Sequence, residues 1–167
     1  MTTWRDALLE QARSDFDAAQ ALSAASNHPS QSTMLLQMAW EKLAKAALVA
    51  GGSWSPSNRT HRVISKFVSV LKRAPRGERV LGQSSRASFI ERVDALHVDL
   101  VRLESLTPAV AGASENAEYP WEVSEPGGPS VQFPAKHLTH DFCGPGRLSV
   151  RLRKDFRTIE GQFHRLF

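Results

Sequence analysis

The chain has 167 residues, of which 41% are hydrophobic and 23% are charged, and its formal net charge is +4. This length suits one compact domain, and nine prolines with ten glycines are too few for a collagen-like or wholly disordered chain. No stretch approaches the roughly 20 apolar residues of a membrane-spanning helix, so we expect no membrane partner.

The first residues and the cysteine content indicate a compartment. Residues 1–6 read MTTWRD and lack the basic stretch and apolar run of a secretory signal. Cys143 is the single cysteine, so no disulfide can form within the chain. We expect a cytoplasmic protein.

Charge is distributed unevenly along the chain. Residues 1–58 carry four basic and five acidic groups, whereas residues 59–103 carry ten basic and four acidic groups. Residues 104–125 hold five glutamates without lysine or arginine, and residues 126–167 return to seven basic and three acidic groups. The positive segment 59–103 favours contact with phosphate or with an acidic protein surface. The alternative is an ordinary solvated helix surface.

Apolar residues spaced three and four apart predict a first helix over residues 4–25. Its predicted apolar face holds Trp4, Leu8, Ala12, Phe16, Ala19 and Leu22. Thr3 and Asp6 predict a capping pair at its start. A turn is predicted over residues 27–30, because Pro29 lacks an amide hydrogen and restrains the residue before it.

A second helix is predicted over residues 32–50, and Gly51 and Gly52 end it. Its wide apolar face holds Leu35, Leu36, Ala39, Leu43, Ala46, Ala47 and Ala50. We expect four neighbouring residues of this helix to be buried against the first and third helices: Leu36, Ala39, Trp40 and Leu43. Glu41 and Lys45 predict an ion pair one turn apart.

Two further helices follow the same spacing. The third is predicted over residues 60–73, with Ile64, Phe67, Val68 and Leu71 on its apolar face, and residues 74–77 close it. The fourth is predicted over residues 85–106 and stops before Pro108. Its apolar face holds Phe89, Val93, Leu96, Leu100 and Leu103.

The composition changes after residue 107. Residues 108–146 contain six of the nine prolines and five of the ten glycines, so we expect no long helix there and at most short extended pieces, such as residues 130–133. Helical spacing resumes over residues 148–167, although Gly161 weakens it. We therefore predict an all-α antiparallel helical bundle of about five helices. It forms a single domain with a helical core at 1–107, an irregular insertion at 108–146 and a closing helix at 147–167.

Most familiar catalytic motifs are missing. The chain has no phosphate loop, dinucleotide fingerprint, nucleophile elbow or zinc-protease helix. Cys143 as a nucleophile would need a base and an orienting group, for which His140 and Asp141 are only neighbours in sequence. His137, His140 and Cys143 are natural zinc ligands, but their spacing matches no established zinc box. We predict neither a metal nor a cofactor.

The most informative segment is residues 32–48, STMLLQMAWEKLAKAAL. It resembles the second helix of HEPN domains, whose usual pattern reads Gln-x-Ala-x-Glu-Lys-x-x-Lys-Ala. The matching residues are Gln37, Ala39, Glu41, Lys42, Lys45 and Ala46. Thr60 and His61 resemble that family's Thr-His-x-Leu opening of the third helix, with Val63 in the leucine position. Only Tyr119 and Pro120 match the Thr-Arg-Tyr-Pro of some members.

The resemblance covers residues 10–75 best and is weaker over residues 76–125. It implies an all-α bundle, usually dimeric, from a family found in prokaryotic defence and toxin systems and beside nucleotidyltransferases. Many members are metal-independent ribonucleases in which four to six residues separate an arginine from the histidine that follows it. Arg92 with His97, and Arg157 with His164, have such a spacing, but the composition alone supplies roughly two such pairs by chance.

Our preferred hypothesis is a HEPN-like binding module that forms a homodimer and engages RNA, a nucleotide or a nucleotidyltransferase-type partner. The predicted binding residues are Arg59, His61, Arg62, Lys66, Lys72, Arg73 and Tyr119. The alternative is a metal-independent endoribonuclease toxin. In that alternative Arg92 and His97 are catalytic: they activate the ribose 2′-hydroxyl and stabilise the developing charge. They lie about 140° apart around a helix, so a partner chain would have to complete the site.

Overall fold

The computed structural model describes residues 3–25, 29–55, 63–106, 121–126, 128–132 and 148–167. These residues are mostly helical, as the sequence predicts. The helices are α1 (Trp4–Ala24), α2 (Pro29–Ala50), α3 (Ile64–Arg73), α4 (Gly77–Val80), α5 (Arg86–Ser105), α6 (Leu148–Gly161) and α7 (Phe163–Leu166). The strands are β1 (Trp121–Glu125) and β2 (Gly128–Gln132).

The ends of α1 and α2 show how local sequence sets helix boundaries. The Thr3 hydroxyl accepts a hydrogen bond from the Asp6 amide at 3.2 Å, which confirms the predicted cap. Helix α2 begins at Pro29, three residues before the predicted start, because proline has the right backbone angle for a first turn and needs no amide partner there. It ends at Ala50 as predicted. Gly52 then adopts a positive φ of 66°, which glycine tolerates best.

Helix α3 begins at Ile64, later than the predicted residue 60. No side chain at Val63 caps it. Instead, the Glu104 carboxylate on α5 accepts hydrogen bonds from the amides of Val63 at 2.9 Å and Ile64 at 3.2 Å. A negative charge at this end of a helix also interacts favourably with the helix dipole. The start of α3 thus depends on a residue about 40 positions away.

Helix α4 is a single turn that begins at Gly77, the last of the residues predicted to close α3, and the sequence predicts no helix there. Gly77, its first residue, packs against the buried ring of Phe89 on α5. A Cβ atom at residue 77 would lie 2.6 Å from the Phe89 ring, so only glycine fits this close approach. Helix α5 follows the predicted bounds, and the Ser85 hydroxyl caps it by accepting from the Ser88 amide at 3.1 Å.

The closing helix is not continuous. Helix α6 ends at Gly161, Gln162 has non-helical backbone angles, and α7 is a separate turn. Glycine is a poor helix former because it loses the most backbone entropy on ordering, which explains the break. The prediction of one helix over residues 148–167 is therefore wrong in this detail.

A β-hairpin lies within the segment that the sequence predicts as irregular. Strands β1 and β2 are antiparallel, with Trp121 opposite Gln132 and Glu125 opposite Gly128. Gly128 has a φ of 115°, which a residue with a side chain rarely adopts. The predicted extended piece at residues 130–133 overlaps β2. The rest of the predicted insertion lies outside the described residues, except for Pro126.

The core lies where α1 and α2 pack together, with α3, α5 and α6 completing it. The predicted buried face of α2 is confirmed: Leu36, Ala39, Trp40 and Leu43 are all fully buried. The Trp40 ring contacts Phe67 on α3 and Phe156 on α6, with ring centroids 6.2 and 5.4 Å apart. Phe16 on α1 stacks on Phe156 at 4.3 Å. This aromatic cluster joins four helices.

Two residues of the predicted α1 face, Trp4 and Leu22, are not in the core. Trp4, the first residue of α1, is 62% exposed, whereas Ala12, Phe16 and Ala19 on the same face are buried. None of the described helices is long and apolar enough to cross a membrane.

Candidate nucleic-acid interface

The charged residues of the HEPN-like segment form contacts within the chain. Lys42 on α2 pairs with Asp15 on α1, with 2.5 Å between Nζ and Oδ2, and Gln11 donates to the other Asp15 oxygen at 2.9 Å. Lys45 pairs with Glu41 at 2.5 Å, as predicted, and lies 5.6 Å from the centre of the Trp54 ring. These residues hold α1, α2 and the following loop together.

Two of the predicted binding residues lie on one side of α3. Lys66 and Arg73 are exposed and seven residues apart, so they lie on the same helix face two turns from each other. Lys72 instead forms an ion pair with Asp94 on α5. The other predicted binding residues, Arg59, His61, Arg62 and Tyr119, lie outside the described residues.

Lys66 and Arg73 line one groove. Its volume is about 400 Å³. It is lined by Leu48 near the end of α2, by Ser53 just after α2, and by five residues of α3: Ser65, Lys66, Ser69, Val70 and Arg73. A second cavity of about 330 Å³ shares Ser53, Val70 and Arg73 with it and reaches the chain end at Phe167. We call the two together the α2–α3 groove.

The polar groups of this groove suit an anion. Arg73 Nε donates to the Ser69 carbonyl at 3.1 Å, and no described residue accepts a hydrogen bond from its terminal nitrogens. Lys66 has no carboxylate within salt-bridge distance among the described residues. The hydroxyl groups of Ser53, Ser65 and Ser69 add neutral donors. Guanidinium, ammonium and hydroxyl groups in one groove are typical of phosphate recognition.

The two predicted catalytic residues face different neighbours. Arg92 Nη2 lies 2.5 Å from Asp155 Oδ1 on α6, whereas His97 Nε2 lies 3.5 Å from the Ser65 hydroxyl on α3. Within the chain Arg92 and His97 thus contact different helices, α6 and α3. His97 adjoins the α2–α3 groove through Ser65.

The second Arg-to-His pair is also divided between elements. Arg157 Nη2 on α6 donates to Gln20 Oε1 on α1 at 2.5 Å. His164 lies on α7, beyond the break at Gln162, and its ring contacts Phe163. The described geometry supplies no shared site for these two residues.

Ion pairs neutralise much of the positive charge that the sequence places on the later helices. Arg151 forms two hydrogen bonds of 3.0 Å with Asp99, and this hydrogen bonding raises the pKa of Arg151. Arg86 pairs with Glu78 at 3.1 Å. The pKa of Glu78 is lowered by its own backbone amide first and by Arg86 second. Positive charge without a neighbouring carboxylate is thereby concentrated at fewer places, including Lys66 and Arg73.

Sequence reasoning missed a second basic cleft, between α1 and α6. It has a volume of about 620 Å³ and is lined on the α6 side by Arg153, Lys154 and Arg157. The sequence feature that could have indicated this cleft is the one-turn spacing of Arg153 and Arg157 on a helix whose segment carries net positive charge.

Within the described ranges, no three His, Cys, Asp or Glu side chains could hold a metal ion. His137, His140 and Cys143 lie outside those ranges.

Comparisons with protein-family models, with curated proteins and with solved structures find no match for this chain. The resemblance to HEPN domains thus stays a prediction that rests on the residues of α2 and of the segment after it.

Proposed function

We propose that this protein is a helical RNA-binding module and that its α2–α3 groove holds the phosphate backbone of a single strand. The observation that carries this proposal is the placement of Lys66 and Arg73. Both are exposed on one face of α3, both line the groove, and neither has a carboxylate partner among the described residues. Such cations attract phosphate and release its condensed counterions when they bind it.

The dimensions of the groove favour a strand over a single small anion. Seven residues of α3 rise about 10 Å, so Lys66 and Arg73 can reach successive phosphates. Ser53, Ser65 and Ser69 lie along the same groove and provide hydroxyl donors of the kind that contact phosphate oxygens. In the sequence, Arg59 and Arg62 lie five and two residues before Ile64, where α3 begins, and both are outside the described residues.

Two wider expectations depend on the resemblance alone. A nucleotidyltransferase-type partner and a role in defence or toxin–antitoxin systems stay predictions.

The endoribonuclease alternative requires Arg92 and His97 to act on one RNA phosphate. Arg92 is held by Asp155, so that alternative also requires this ion pair to open or a partner chain to supply the missing group.

The test of RNA binding is its dependence on salt. We expect a labelled single-stranded RNA to lose affinity steeply between 50 and 200 mM salt, with a slope of log affinity against log salt of about −0.7 per phosphate contact. Replacing Lys66 and Arg73 together with alanine is expected to lower affinity about tenfold and to reduce the salt slope by about 1.4. Fluorescence anisotropy measures both quantities.

A matched control removes the same charge elsewhere. Arg79 and Arg165 are exposed and form no salt bridge in the described part of the chain, so their double alanine variant should bind RNA nearly as the original chain does. Equal losses in both double variants would contradict the groove. His97→Ala is expected to leave binding unchanged, and RNA cleavage that disappears in His97→Ala would establish the ribonuclease instead.

We also propose that the chain forms a homodimer through its later helices. Val98 and Val101 on α5 are 70% and 44% exposed, and Val150 on α6 is 48% exposed. Val98 and Val150 are the chain neighbours of Asp99 and Arg151, the ion pair that joins the two helices. Exposed apolar side chains of this kind favour association with another surface.

Sedimentation at micromolar concentration is expected to give about twice the mass of the 18.5 kDa chain. Replacing Val98 and Val101 with serine should shift the protein toward the monomer without unfolding it, since both side chains are exposed. A monomer in the original chain would contradict the dimer.

A further inference from the structure

A small cavity lies in the core where α2, α3 and α5 meet. Gln37, Trp40 and Glu41 line it from α2, Ile64 lines it from α3, and Glu104 lines it from α5. We propose that this core cavity binds one internal water molecule, which accepts a hydrogen bond from Trp40 Nε1 and donates one to the Gln37 amide oxygen. None of the described residues that line the core cavity lines the α2–α3 groove, so this site is separate from the proposed RNA site.

Two buried polar groups of the core cavity have no hydrogen-bond partner in the described part of the chain. The Trp40 indole is fully buried, and its Nε1–H group donates to no described residue. Gln37 is 5% exposed, and its side-chain amide makes no hydrogen bond to a described residue either. The two residues are three positions apart, so they are neighbours on one face of α2. Buried polar groups in native proteins are nearly always satisfied by protein atoms or by ordered water, so this pair indicates a bound molecule.

The chemistry of the lining residues selects a neutral ligand. An indole N–H group can only donate, so the ligand must offer an acceptor atom, which a metal ion or an ammonium ion cannot do. The carboxylates of the cavity already have partners within the chain. Glu41 pairs with Lys45, and Glu104 accepts hydrogen bonds from the amides of Val63 and Ile64. A molecule that accepts and donates without a charge of its own therefore fits the cavity.

The size of the core cavity limits the ligand to one heavy atom. Its volume is about 10 Å³, close to the roughly 10 to 15 Å³ that one water molecule needs. Cavities that stay empty are lined by apolar groups, whereas internal water bonds to several buried polar groups. Trp40 and Gln37 supply one donor and one acceptor, and the Glu104 carboxylate is a second acceptor on the same cavity. The water thus joins α2 to the residue that caps α3.

The experiment measures contact between water and the Trp40 indole proton by NMR spectroscopy of the isotope-labelled full chain. We expect a water cross-peak at the Trp40 Nε1–H resonance, and its sign in the rotating frame should be that of dipolar contact rather than of proton exchange. Trp40→Phe identifies this resonance, because it removes the N–H group and keeps an aromatic ring. No described residue that lines the cavity has a hydroxyl or ammonium group, so the cross-peak reports water itself. Its absence would overturn the proposal.

Gln37→Met tests the second contact of the water. Methionine keeps a side chain of similar length but lacks the amide, so the water loses an acceptor and the cross-peak at Trp40 should disappear. Gln31→Met is the matched control: it makes the same change at an exposed residue of α2 that does not line the cavity, and the cross-peak should remain. A cross-peak that persists in Gln37→Met, or that both variants lose, would overturn the proposal.

A crystal structure of the unchanged chain keeps the test independent of how Gln37→Met folds. We expect one peak of solvent density within about 3.2 Å of both Trp40 Nε1 and the Gln37 amide oxygen. A core cavity without such a peak would also overturn the proposal.

Discussion

Trp40→Ala is expected to lower the free energy of unfolding by about 3 to 5 kcal/mol. The indole is fully buried, and its ring contacts Phe67 and Phe156 from two other helices. Its Nε1 atom has no hydrogen-bond partner among the described residues, so the loss comes from packing and from the cavity that remains. Urea denaturation followed by circular dichroism measures the change.

The chain contains a control for this substitution. Trp4→Ala removes the same side chain from a 62% exposed position on α1, and we expect it to change the free energy of unfolding by less than about 0.5 kcal/mol. A loss below about 1 kcal/mol in Trp40→Ala would show that the indole is not part of a packed core.

The sequence predicted the helices best where the apolar pattern extends over several turns. Residues of α2 repeat at three and four positions around Trp40, and the structure buries the predicted face except at Leu35, which is partly buried, and at Ala50, which is exposed. The same pattern placed Trp4 on the face of α1. It failed there because periodicity records which side of a helix a residue occupies, not whether another helix covers that end.

Boundaries that depend on distant residues could not be predicted. Helix α3 begins where Glu104, on another helix, accepts hydrogen bonds from Val63 and Ile64. No local residue marks this start. Similarly, the one-turn helix α4 is fixed by the fit of Gly77 against Phe89, a contact between residues 12 positions apart that neither spacing nor composition shows.

The same distinction holds for the candidate sites: features within one helix could be predicted from the sequence, whereas contacts between helices could not. The common face of Lys66 and Arg73 follows from helix geometry, and so does the wide angle between Arg92 and His97. The pairing of Lys72 with Asp94 does not, because it joins two helices. The α1–α6 cleft was missed because Arg153 is oriented by Ser23 and Ser32, residues more than 100 positions earlier in the chain.

Lys42→Met is expected to lower the free energy of unfolding by about 2 to 4 kcal/mol. The Asp15 side chain is only 8% exposed, and its carboxylate would keep the hydrogen bond from Gln11 but lose its cation. A buried charge without a partner is costly because burial removes its hydration. The estimate lies below the range for fully buried pairs because the Lys42 side chain is 22% exposed.

The matched control is Lys72→Met, which removes the same cation from the ion pair with Asp94. Both of those side chains are more exposed, so we expect a loss below about 1 kcal/mol. The second control combines Lys42→Met with Asp15→Leu. Because that double variant leaves no unpaired buried charge, its stability should recover most of the loss seen in Lys42→Met. Equal destabilisation by Lys42→Met and Lys72→Met in urea melts would contradict a structural role for the Lys42–Asp15 pair.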